Sequence, residues 1–179
     1  MDIVSHGLWG SFVFGRHTRK SFWLAFVLGI SPDLLSFGVY MGASLLGLSV
    51  HPDWSSGRHL DASQIPLYVY GLYNFTHSIL VFVTMFGVAW WLRGKPLYEL
   101  SAWGLHILMD IPTHSYAFFP TPFLWPLSDV RVDGIPWSHP IIMIPNIILL
   151  IILYAWFFIV KKHRERLSVA NDGVPLPKG

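Results

Sequence analysis

Apolar residues run along the chain in four long blocks separated by short polar stretches. The plainest block, "PIIMIPNIILLIILYAWFFIV" at 140–160, carries no charge and matches the roughly 20 residues a helix needs to cross hydrocarbon. A second, "PLYVYGLYNFTHSILVFVTMFGVAWWL" at 66–92, contains His77 as its only ionisable group apart from tyrosines. A third runs over 97–118. The first, over 21–50, is interrupted by "SPD" at 31–33, where Ser31 reads as an N-cap and Pro32 as the first residue of a restarted helix. Ahead of it, "SHGLWGSFVFG" predicts a short amphipathic helix. Two longer loops, 51–65 and 119–139, and a tight "RGK" turn at 93–95 join the blocks. The pattern predicts an all-α integral membrane protein. It is a bundle of about four transmembrane helices, with a broken first span and a short N-terminal helix. Residues 1–165 form one membrane-embedded domain and 166–179 a disordered cytoplasmic tail.

Composition makes the bilayer the expected solvent. Hydrophobic residues are 53% of the 179 and charged residues 12%, against about 25% charged in an ordinary soluble domain. A soluble domain of this size has too much surface for its volume to hide so much apolar area. A net charge of +2 without a Lys/Arg stripe gives no nucleic-acid surface. The lack of cysteine excludes disulfide frameworks, thiolate metal sites and cysteine nucleophiles. The first twenty residues lack the pattern of a signal peptide, so the mature chain is expected to begin at or near Met1. "RHTRK" (16–20), "RGK" and "KKHRER" (161–166) all fall on one side of a four-span bundle. The positive-inside rule makes that side cytoplasmic, with both termini there, in a multi-pass protein of the cytoplasmic (inner) membrane.

Inside these blocks lie groups that a membrane tolerates poorly. A charged side chain at a helix centre costs about 2.5–3.5 kcal/mol on the insertion scale, yet the spans hold Asp33, His77, His106 and Asp110, with His114 nearer an end. At about 1.5 Å of rise per residue, the first four fall roughly 14–19 Å from the ends of their spans, at one depth on three segments. In "HILMDIPTH", His106, Asp110 and His114 follow one another at intervals of four, on one helical face. Two carboxylates and several imidazoles at one level suit a divalent ion, zinc first, with manganese or iron also matching the donors, as one or two ions. An ion also neutralises carboxylates otherwise isolated in low dielectric. His17 and His163 in basic clusters, and His51 and His59 in the outer loop, read as solvated. Trp90, Trp91, Trp125 and Trp137 read as interface anchors.

"MDIVSHGLWG", "SPD", "FTHSIL" and "HILMDIPTH…FLWP", in that order over roughly 1–128, resemble the membrane-bound metal-dependent hydrolase family typified by the YdjM inner-membrane proteins. The resemblance implies a metal-binding set of His6, Asp33, His77, His106 and Asp110, and adds His6 to the residues found above. It also implies a distant likeness to zinc-dependent phospholipase C and related nucleases. Where the family often carries H-R-G before T-H-S, this chain has Tyr73-Asn74-Phe75, which removes an imidazole and a phosphate-clamping arginine.

The expected activity is hydrolysis, through metal-activated water, of a phosphoester in a lipid or lipid-linked substrate. His114 or His139 stands as general acid, and Arg131 offsets developing negative charge. No G-x-S-x-G or other serine-nucleophile motif competes for the role. Two rivals use the same polar seam: an intramembrane metal or proton carrier, and a non-enzymatic protein in which the seam only fixes helix packing.

Overall fold

The computed structural model describes residues 1–49 and 65–172, with 161–172 as backbone only. Most of the loop 51–65, with His51, Arg58 and His59, and the last seven tail residues lie outside the described residues, as does the side chain of His163. The described chain is helical, without a named strand. Helix α1 (Ile3–Phe14) starts on Asp2, whose carboxylate accepts from Ser5 N at 2.9 Å. Helix α2 (Arg19–Asp33) starts on Thr18, which accepts from Ser21 N at 3.0 Å. It passes through a π-helical turn (Leu34–Gly38) into α3 (Val39–Leu45). Helices α4 (Leu67–Thr76) and α5 (Ile79–Arg93) follow, then a 3-10 turn (Tyr98–Leu100), α6 (Ser101–Thr113) and α7 (Pro140–Asp172).

Arg19–Leu45 and Pro140–Val160 are long and apolar enough to cross a membrane, and α4 with α5, bent by 58° between them, would make a third span. The apolar side chains of α7 face outward almost without exception. Ile144, Ile148, Ile151, Trp156 and Ile159 are all exposed, while within the described part only Asn146 and Leu150 are buried. An exterior of this kind fits lipid rather than water.

Four features differ from the sequence reading. The first span is not broken at "SPD": the helix runs through Pro32. Proline lacks the N–H that would serve the Leu28 carbonyl, and Ser31 Oγ donates to that carbonyl instead, at 2.9 Å. The disturbance is taken up just downstream as the π-helical turn, where Ser36 Oγ donates to Pro32 O at 2.8 Å. The second block is two helices, because Ser78 leaves the helical conformation to cap α5, accepting from Val81 N at 3.3 Å. Segment 121–128 reaches into the gap, where Phe123 O accepts from Ile79 N at 3.0 Å. Trp103 Nε1 donates to Thr76 O at 2.7 Å, so the freed backbone groups are served by protein at a level where water is scarce. The third block forms only the 13 residues of α6, since Pro112 weakens its last turn and His114 is extended. Finally, the backbone stays helical from 166 to Asp172, where a disordered tail was expected.

Small residues set the centre. Helix α1 lies between α2 and α6, and a Cβ on Gly10 would sit 2.8 Å from Ala102 Cβ and 3.1 Å from Ala25 O. One turn back on the same face, His6 is carried into the bundle. Asn146 pins α7 to α1: it accepts from Trp9 Nε1 and donates to Ser5 Oγ, both at 2.8 Å. A strap over 134–137 closes the end of α6, with Gly134 N, Ile135 N and Trp137 N donating to the carbonyls of His114, Pro112 and Thr113 at 2.8–3.0 Å.

Candidate metal centre

Four segments converge on one buried point. Asp33 comes from the end of α2 where the π-helical turn begins, His77 from the break between α4 and α5, and His106 and Asp110 from successive turns of α6. One ligand atom from each lies within 4.8 Å of the others. His77, His106 and Asp110 are at most 1% exposed, whereas the Asp33 side chain keeps 17%.

Hydrogen bonds fix which ring nitrogens face this point. His106 Nδ1 lies 2.7 Å from Gly29 O, a carbonyl that only an N–H can serve. His77 Nδ1 lies 3.2 Å from Tyr73 O and 3.0 Å from Thr76 Oγ1, whose own proton goes to Leu72 O. Each ring therefore carries its proton on Nδ1 and turns the Nε2 lone pair inward, the orientation an outer partner imposes on a metal-binding histidine. The two Nε2 atoms are 3.1 Å apart, and two lone pairs that close repel unless a cation lies between them. Asp110 Oδ2 is buried with no hydrogen-bond partner. It stands 3.2 Å from His106 Nε2 and 3.6 Å from His77 Nε2, and Asp33 Oδ1 is 3.7 and 3.5 Å from the same two atoms. A tetrahedron with metal–ligand bonds of about 2.0–2.1 Å has edges of about 3.3–3.4 Å. The group can hold a divalent ion, with Asp33 at the side that remains open.

His6 reaches the same centre. Its ring stacks on His106 at 3.6 Å between centroids, and its Nε2 lies 2.9 Å from Asp110 Oδ1. Neither of its nitrogens has a hydrogen-bond partner, although the residue is 1% exposed. His114 is not on the helical face expected for it, because it lies beyond the last turn in extended backbone. Even so, its Nε2 comes within 3.4 Å of Asp110 Oδ1, while its Nδ1 lies 3.0 Å from Phe119 O.

The other two residues expected to act stand apart from this group. His139 is exposed before α7, where its Nδ1 accepts from Ile141 N at 3.3 Å. Arg131 lies on the segment leading into the strap, its carbonyl accepting from Tyr116 Oη at 2.9 Å, and its side chain forms no ion pair among the described residues. The departure at 73–75 takes on a supporting role. Tyr73 stacks on His77 at 3.8 Å and donates to Phe119 O at 3.0 Å, the carbonyl that also orients His114. Phe119 holds a left-handed backbone with φ 48°, a conformation that costs a non-glycine residue about 1–3 kcal/mol.

Compared with known proteins, the chain matches no family model, no curated protein and no solved structure.

Proposed function

We propose that this is a metal-dependent hydrolase of the cytoplasmic (inner) membrane, acting on a phosphoester of a lipid or lipid-linked molecule. The observation that carries the reading is the inward lone pairs of His77 and His106 beside the orphaned Asp110 Oδ2. A polar seam serving helix packing alone would pair its buried atoms with one another. This one leaves a carboxylate oxygen and facing lone pairs that a cation satisfies, which counts against the packing reading.

His77, His106 and Asp110 would hold the ion, and Asp33, the most exposed of the four, borders the side from which substrate arrives. When bound, the ion supplies Lewis acidity toward water and toward a phosphoryl oxygen. Zinc suits two imidazoles and two carboxylates, and manganese or iron would also be accepted. The Asp33 carboxylate is placed to take a proton from attacking water. The general-acid role falls to His139 rather than His114, whose Nε2 is directed at Asp110. Arg131, on the segment entering the strap, is the cation available to the developing charge. The basic clusters around the apolar blocks orient the chain with both termini in the cytoplasm. The lipid character of the substrate follows from the setting and from the sequence resemblance to the YdjM-like proteins.

The test is metal content by plasma mass spectrometry on detergent-purified wild type, His106→Ala and Asp110→Ala, alongside turnover of a panel of phospholipid and polyprenyl-phosphate esters. Bound zinc, manganese or iron in the wild type, lost in both variants together with phosphoester turnover, is the expected result. A folded wild type that binds no metal after purification without chelator overturns the reading.

A further inference from the structure

Asp110 presents its two oxygens to two different sets of donors. Oδ2 faces Asp33, His77 and His106, as described. Oδ1 faces His6 Nε2 at 2.9 Å and His114 Nε2 at 3.4 Å. His114 has the same build as the two ligating histidines: a ring nitrogen at a backbone carbonyl, Phe119 O at 3.0 Å, and the other turned toward the carboxylate. His6 offers a ring with both nitrogens buried and unbonded. Thr113 adds a hydroxyl whose proton is given to Met109 O at 2.8 Å, leaving oxygen lone pairs on the near side.

A positive charge already occupies this place. The α-amino group of Met1 contacts Asp110 Oδ1 and lies 3.3 Å from Thr113 Oγ1 and 3.4 Å from His114 Nε2. Two imidazoles, a carboxylate oxygen and a hydroxyl gathered around a cation are a divalent ion's donor set.

We infer that the centre takes two divalent ions bridged by Asp110. The second is held by Asp110 Oδ1, His6 and His114 with Thr113 beside them, in the position where the Met1 ammonium now stands. The inference rests on the metal reading above and deepens it. A single carboxylate joining two ions is the arrangement that lets one ion take the attacking oxygen of a phosphoester and the other the leaving oxygen. His114 is then a ligand rather than a proton donor. His6 is a ligand of the second ion only, and its stacking on His106 keeps the two ions' imidazoles in register.

The experiment is titration of metal-stripped, detergent-purified full-length protein with Mn(II), read as bound equivalents and by electron paramagnetic resonance. Wild type should bind two equivalents and give the multiline signal of a magnetically coupled pair. His114→Ala should bind one and give the spectrum of an isolated ion, and His77→Ala should likewise keep no coupled pair. Because the coupled signal is read on wild type, the test does not depend on any variant folding. One equivalent at saturation, two uncoupled ions, or a second equivalent retained by folded His114→Ala would each overturn the two-ion centre while leaving the single-ion site intact. No binding at all would instead remove the reading on which it rests.

Discussion

Helices α6 and α7 are built in opposite senses. Of the 13 residues of α6, the buried ones are Ala102, Gly104, His106, Ile107, Asp110 and Thr113, so three polar side chains share the inside with small apolar ones. In the described part of α7 the inside is Asn146 and Leu150, and isoleucines, leucines and aromatics cover the outside. In water the apolar helix would be the buried one. In lipid, apolar side chains gain little by leaving the solvent, and the polar groups and close-packed small residues select the interior. The contrast locates function too, because the polar interior of α6 is where the candidate ligands collect.

The contrast can be broken from the inside first. Gly10→Leu pushes a branched side chain into Ala102 and the Ala25 carbonyl, separating α1 from α6. We expect a loss of about 3 kcal/mol or more, seen as a lowered unfolding midpoint in detergent, and with it the loss of metal binding through His6. A smaller effect is expected at the one polar group of the lipid-facing helix. Asn146→Leu removes the bonds to Trp9 and Ser5 and should cost about 0.6–1.7 kcal/mol, the range of hydrogen bonds between membrane helices, with metal content unchanged. The smallest belongs to the outer face. Ile148→Leu, at a half-exposed position, should move stability by no more than about 0.5 kcal/mol. If Ile148→Leu proved as harmful as Gly10→Leu, that face would be an interface with another protein and not with lipid.

Much of the centre was legible in the sequence, for a physical reason. Ionisable groups are so costly in hydrocarbon that their depth along each apolar block carries information, and it placed Asp33, His77, His106 and Asp110 at one level before any coordinates. They do meet. His6 came from the motif resemblance alone. The local signal was the Gly7 and Gly10 pair on the same short helix, since small residues at helical spacing allow close approach of backbones. The break at His77 could have been read from Ser78 as a cap ahead of an apolar run. Two other features had no sequence signal of that strength. Whether a helix stops at Pro32 or continues depends on Ser31 finding the stranded carbonyl, a choice between local hydrogen bonds of similar energy. That His114 reaches Asp110 from beyond the helix end depends on Tyr73 and Phe119, which are distant in sequence and meet only in the fold.

The π-helical turn at 34–38 has a consequence for how this chain tolerates changes of length. A π turn holds one more residue than the α turn it replaces, so it behaves as an insertion absorbed without leaving the helix. Deleting one residue there, for example the exposed Leu35, would restore an ordinary helix yet swing everything after it by about 100° relative to Asp33. Tyr40, now buried against Val69 and Tyr73, would be turned toward lipid. The extra residue thus uncouples two requirements along one rod. The upstream half is phased to present a carboxylate, the downstream half to present an aromatic ring, and each can drift in evolution without spoiling the other's aim.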